Sequence, residues 1–143
     1  MSLVVLDASV AAKWFLPAEF EPLSREAAQL FRRFSEGELK FVVPDLFWAE
    51  FGNILWKYTR IGRCDSAVAS QAVTSLLSCK IGTLPTAELL EMAVAIARSF
   101  ERTVYDSLYI AAAIQTKTEL ITADERLVNS MSLHFPVRWL GAL

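Results

Sequence analysis

Two apolar patterns alternate along the chain. Short runs of the kind expected of strands occur at Leu3 to Leu6, Lys40 to Val43, Lys80 to Leu84, Glu119 to Thr122 and near Val137 to Leu140. Between them lie longer segments with apolar residues at helical spacing, and this strand–helix alternation predicts a parallel sheet covered by helices. A short helix from about Ser9 to Phe15 is stopped by Pro17. A second, from about Ser24 to Ser35, carries Ala27, Leu30, Phe31 and Phe34 on one face, with Gly37 as its stop. Pro44 opens a long helix from about Asp45 to Arg60, closed by Gly62, and Asp65 or Ser66 caps another that runs to about Ser78. Pro85 and Thr86 open a helix to about Phe100. The helix that follows, around Asp106, is apolar on every side through Leu108 and Ile110 to Ile114, as expected of a buried helix. A short helix, Glu125 to Val128, precedes the last strand.

Four acids interrupt this pattern at positions where charge is costly. Asp7 falls at the carboxyl end of the first strand, and Asp124 follows the strand ending at Thr122. In open α/β sheets, ligands bind in the crevice beyond the carboxyl ends of the strands. Asp106 lies in the first turn of the buried helix, where a negative charge suits the helix dipole. At about 100° per residue, Glu50 falls inside the sector holding Leu46, Phe47, Phe51, Ile54 and Tyr58, which turns it toward the interior. Each acid also has a plain structural reading: Asp124 as the N-cap of the helix after it, Glu50 as half of a salt bridge. No basic residue is embedded in the four stretches to pair them off, so crowded carboxylates would raise one another's pKa unless a cation intervened.

Composition narrows the chemistry. One domain of 143 residues with 54% apolar content is long enough to bury a sizeable core without staples. The formal charge of −2 means that a nucleic-acid partner would have to be met by a local basic patch. Cys64 and Cys79 form no CxxC pair, which argues against a disulfide framework or a zinc site and for a reducing cytoplasm. MSLVVLDASV has no basic region before its apolar run, and Asp7 cuts that run short, so neither a signal peptide nor a membrane span is expected. The only histidine, His134, stands without other ligands near it and reads as a surface residue.

An all-oxygen ligand set favours Mg²⁺ or Mn²⁺ over Zn²⁺. Because Mg²⁺ is usually held by one or two carboxylates plus substrate phosphates, phosphodiester hydrolysis by metal-activated water is the natural reaction. Such a substrate needs cations at the mouth of the site. Lys13, after Asp7, and Arg126, after Asp124, are the candidates for substrate binding, with Lys57, Arg60 and Arg63 a more distant group. Trp48 and Trp56 fall outside the apolar sector of the long helix, a common mark of an interface.

The motifs LDASVAAKWFL, PDLFWAEFGN, YDSLYIAAA and LITADERL, in that order along the whole chain, resemble those of the PIN domain family, within it the VapC-type ribonuclease toxins of toxin–antitoxin modules. Asp7, Glu50 and Asp106 match the family's acids, Thr122 and Asp124 its terminal strand motif, and Ser9 the small polar residue beside the first acid. The resemblance implies a three-layer α/β/α fold spanning residues 1–143, with a central, mainly parallel five-stranded sheet of order 3-2-1-4-5. It further implies Mg²⁺- or Mn²⁺-dependent cleavage of single-stranded RNA, and a homodimer held inactive by a cognate antitoxin protein. Competing readings are an RNA-binding module without turnover and a haloacid-dehalogenase-like phosphatase. The latter wants a second Asp where Ser9 stands.

Overall fold

The computed structural model describes residues 2–143. Five parallel strands form one sheet in the order β3-β2-β1-β4-β5. They are β1 (Ser2–Leu6), β2 (Leu39–Pro44), β3 (Gly82–Leu84), β4 (Leu120–Thr122) and β5 (Val137–Trp139). The expected order holds, and every pairing is parallel. The burial of the strands follows their place in the sheet. Val4, Val5 and Leu6 of β1 and all of β4 are buried, whereas the edge strand β3 is largely exposed. Leu3, expected inside, is exposed at the start of β1, so the doubly covered part of that strand begins at Val4.

Among the described residues seven α-helices connect the strands: α1 (Ala8–Ala12), α2 (Ser24–Ser35), α3 (Leu46–Arg60), α4 (Ser66–Ser78), α5 (Thr86–Phe100), α6 (Val104–Thr116) and α7 (Glu125–Met131). Most of their bounds are those the stop signals predict. Gly37 and Gly62 end α2 and α3 at φ of 82° and 77°, a left-handed backbone that glycine adopts without strain. The first helix is shorter than expected: α1 ends at Ala12, and residues 13–16 turn toward a 3-10 turn at Ala18–Phe20. Here Trp14 leaves the helical register, donating its Nε1 proton to the Ala27 carbonyl at 2.8 Å and packing edge-on against Phe31. The last helix is longer than expected, because Leu127 and Met131 bury one face of a second turn.

The buried face of α3 is Phe47, Phe51 and Leu55, a stripe rotated away from the one the wheel centred on. Glu50 therefore lies at its margin, half-buried. Trp48 is half-buried: it packs edge-on against Phe47 and donates its indole proton to Thr83 Oγ1 on β3 at 3.1 Å. Trp56 remains 56% exposed, with the Arg60 guanidinium 5.3 Å from its ring centroid. In α6, Ser107 through Ala113 are all buried, as its all-round apolar sequence requires. No helix among the described residues is long and apolar enough to cross a membrane.

Candidate functional site

The chain leaves β1 toward β2 and β3 on one side and returns to place β4 and β5 on the other. The carboxyl ends of β1 and β4 thus flank the switch point, where a crevice must open between diverging connections. Asp7 stands there. It is the N-cap of α1, its Oδ1 accepting from Ser9 N at 3.1 Å, while Oδ2 accepts from Thr122 Oγ1 at 2.7 Å across the β1–β4 pair. Burial pushes the Asp7 pKa up, the hydrogen bonds from Thr122 and Ser9 pull it partly back, and the charge of Asp106 raises it again.

Glu50 reaches the crevice from α3. Its Oε1 accepts a 2.6 Å hydrogen bond from Tyr109, whose buried hydroxyl also accepts from Ala8 N at 3.4 Å. Burial raises the Glu50 pKa, the Tyr109 hydrogen bond opposes this, and the charges of Asp7 and Asp106 add to the rise. Burial and the neighbouring Asp7 and Glu50 charges push Tyr109 far above the ordinary tyrosine range, so it serves as a fixed proton donor. Asp106 completes the set from the first turn of α6, anchored by Thr103, whose Oγ1 accepts from Asp106 N at 3.1 Å. It is not free of basic partners as the sequence suggested: Arg102, one turn earlier, donates to Oδ2 at 3.0 Å. A pair at this spacing straddling a helix start is invisible in a count of basic residues within the motif. Tyr109 and Arg102 are thus the site residues that sequence reasoning missed. Tyr109 lies one helical turn after Asp106 on the same face, and that spacing was the available signal.

Asp7, Ala8, Ser9, Glu50, Asn53 and Ile54 line a cleft of about 180 Å³. Ser9 Oγ lies buried in it without a well-aligned hydrogen-bond partner, though near enough to Asp7 to favour its charge. Asp124 is placed differently from the other three acids. It is exposed, and its Oδ1 caps α7 by accepting from Arg126 N at 3.0 Å and Leu127 N at 3.3 Å. Its link to Asp7 runs through the buried Thr122 hydroxyl, which donates to Asp7 and accepts from Asp124 N at 3.1 Å. Arg126 is exposed beside it. Lys13 is not the open cation expected of a substrate contact: it is buried and paired with Glu21 at 3.4 Å, where the tightening of the chain after Ala12 folds it under the 3-10 turn. His134 is exposed, with its ring 4.9 Å from that of Phe100.

The donors facing the cleft are all oxygens, and the orphaned Ser9 hydroxyl adds one more, a set that fits a hard divalent cation. Among the described residues no three acidic, histidine or cysteine side chains are close enough to close a cage around one ion. That arrangement suits a cation that keeps several of its waters and bridges carboxylates through them.

The PIN domain profile matches residues 4–130. Ribonuclease VapC3 of Pyrobaculum aerophilum is 31% identical over 130 residues, covering 88% of this chain and 92% of that protein. A crystal structure of a Pyrobaculum aerophilum protein superposes with a TM-score of 0.68 at 23% identity, covering 99% of this chain and 91% of the other. A toxin–antitoxin complex from Klebsiella pneumoniae contains a chain that superposes with a TM-score of 0.61 at 15% identity, over 94% of this chain and 95% of that one.

Proposed function

The chain belongs to the PIN domain family, and on that premise we propose that it is a nuclease, the toxin of a toxin–antitoxin pair, cleaving single-stranded RNA with the help of Mg²⁺ or Mn²⁺. The observation that carries the reading is the convergence of Asp7, Glu50 and Asp106, from three separate elements, at the sheet's switch point, where burial raises the pKa of the first two and like charge adds to it, from Asp106 on Asp7 and from Asp7 and Asp106 on Glu50. A protein with no use for such a cluster would lose stability by keeping it. The name of the VapC3 relative and the toxin–antitoxin neighbour support the same class of activity.

Bound there, a divalent cation would activate water and neutralise charge developing on the phosphodiester. Asp7, Glu50 and Asp106 would hold it, and the rest of the arrangement prepares them. Thr122 and Ser9 N occupy one lone pair on each Asp7 oxygen and fix the carboxylate plane. Tyr109 takes Glu50 Oε1 and leaves Oε2 for the cleft, and Arg102 restrains Asp106. Asp124 stiffens the start of α7 beside the site and presents its charge, with Arg126, at the rim. Two partners complete the reading. One is a cognate antitoxin; the other is a second copy of the chain meeting at exposed Trp56, so that Trp56→Glu should lower the dimer fraction in sedimentation. The function is tested by single-turnover cleavage of a labelled single-stranded RNA after EDTA treatment and restoration of Mn²⁺. Metal-restored cleavage is expected, and binding without cleavage would reduce the protein to an RNA clamp.

A further inference from the structure

Next to the acidic cleft lies a second one of about 340 Å³, between α1 and α3 and over the 3-10 turn. Ser9 and Ile54 line both, so the two form a continuous groove with Ser9 at the junction. Their chemistry is opposite. The first holds two carboxylates, Asp7 and Glu50. The second contains Lys57, the ring of Phe20 and the edge of Tyr58. Its one acid, Glu21, is already satisfied, with Oε1 paired to Lys13 and Oε2 accepting from Tyr58 OH at 2.7 Å. That buried triad ties the 3-10 turn to α1 and α3 and leaves no unpaired carboxylate in the wall. Phe20 is 39% exposed despite its size, and the Arg63 guanidinium stands 5.2 Å from its ring centroid. Neither Lys57 nor Arg63 has an ion-pair partner among the described residues. A partly exposed aromatic ring with a guanidinium over it, in a cleft that also holds an unpaired lysine and meets the carboxylate cleft at a buried hydroxyl, is the arrangement a nucleotide asks for. It offers a stacking surface for the base, positive charge for its phosphate, and a passage toward the acids.

We propose that this second cleft is a nucleotide subsite, receiving the base adjacent to the scissile phosphate on the Phe20 ring beside Arg63 and the intervening backbone against Lys57. The proposal deepens the nuclease reading and rests on it. A base can reach the Phe20 ring only when it is unstacked and unpaired, so the subsite accounts for a preference for single strands. Stacking tolerates any base, so it positions the strand without dictating a sequence.

The test measures binding separately from cleavage. An Asp7→Asn protein is titrated with a fluorescent single-stranded hexanucleotide with Mn²⁺ present, and Phe20→Ala, Phe20→Trp and Lys57→Glu are added in turn. Phe20→Ala should weaken binding about five- to hundredfold and Phe20→Trp should restore it, since stacking is a property of the ring. Lys57→Glu should weaken binding and make its salt dependence shallower by about one phosphate contact. An oligonucleotide with a single abasic position walked along the strand should lose affinity at one step next to the cut, and that loss should vanish in Phe20→Ala. If the parent binds and wild type cleaves while Phe20→Ala binds as tightly as the parent, with a melting temperature unchanged, the subsite is overturned and the nuclease reading stands. If wild type cleaves no RNA and the parent binds none, the nuclease reading falls and the subsite with it.

Discussion

The β1–α1 and β4–α7 junctions are built alike, and only one of them makes an unusual site. Each is a buried parallel strand ending in an aspartate that caps the next helix: Asp7 accepts from Ser9 N, Asp124 from Arg126 N and Leu127 N. The strands are neighbours in the sheet, and a single hydroxyl, Thr122 Oγ1, touches both junctions. What differs is what stands over them. Asp7 is roofed by α3 and α6, which bring Glu50, Tyr109 and Asp106, whereas Asp124 opens to solvent. Local structure supplies the cap in both places. The perturbed carboxylate comes from the layer above, where α3 and α6 bring their polar groups over the end of β1.

The largest contrast should appear in activity. Asp7→Asn is expected to lower single-turnover cleavage at least about a hundredfold at saturating Mn²⁺, a loss typical of removing a central catalytic group, and near-wild-type turnover would remove Asp7 from the reaction. Thr122→Val sharpens the comparison next, because it cuts the side-chain link between the junctions and leaves the backbone pairing in place. Thr122 is fully buried and valine fills its volume, so the fold should hold. Losing a donor that favours the charged form should push the Asp7 pKa further up. Cleavage is expected to fall about tenfold, a cost in the range of one hydrogen bond to a charged group, with the acid limb of the pH–rate profile displaced to higher pH. A drop in rate with an unmoved profile would assign Thr122 a packing role alone.

The same electrostatics fix a direction for stability. Asp7 and Glu50 have folded pKa values above their ordinary 3.8 and 4.5, so the folded state holds their protons more tightly than the unfolded chain does. Their contribution is fully favourable below those ordinary values and is lost as pH rises through the raised ones. The metal-free protein should therefore melt at higher temperature as the pH is lowered from neutral toward that window. In the Asp7→Asn variant this rise should be smaller and the melting temperature at neutral pH equal or higher. A wild-type melting temperature that falls steadily on acidification would mean that burial and like charge do not hold these two carboxyls above their ordinary range.

How much of this was legible in the sequence depends on whether a residue's environment comes from its own segment. The strands, most helix bounds and the seat of Asp106 are consequences of local apolar spacing, and they stand where that spacing put them. The sheet order came instead from the resemblance of four motifs to a family. The burial of Lys13 was not legible because it is decided by Glu21 and Tyr58, contributed by a turn and a helix that no local pattern connects to it. The partner of Trp48 was hidden for the same reason, being Thr83 on an edge strand. Glu50 illustrates both cases. The wheel found its side of the helix from neighbours in α3, but the hydroxyl that receives it belongs to α6.

The smallest expected effect tests whether the second junction is only a cap. Asp124→Ala removes the acceptor for two backbone N–H groups and should destabilise the protein by about 1 kcal/mol, a fall in melting temperature of about 2–4 °C for a chain of this size. Asp124→Asn keeps an oxygen in the same position and should lose little of that stability. The pair of variants separates cap from charge: if Asp124 acts chiefly through α7, cleavage follows the melting temperature, and the asparagine variant stays within about tenfold of wild type, well short of the loss at Asp7. Should Asp124→Asn instead match Asp7→Asn in lost activity while melting normally, its negative charge works in the reaction from the solvent side, and the two junctions are equivalent in function as well as in build.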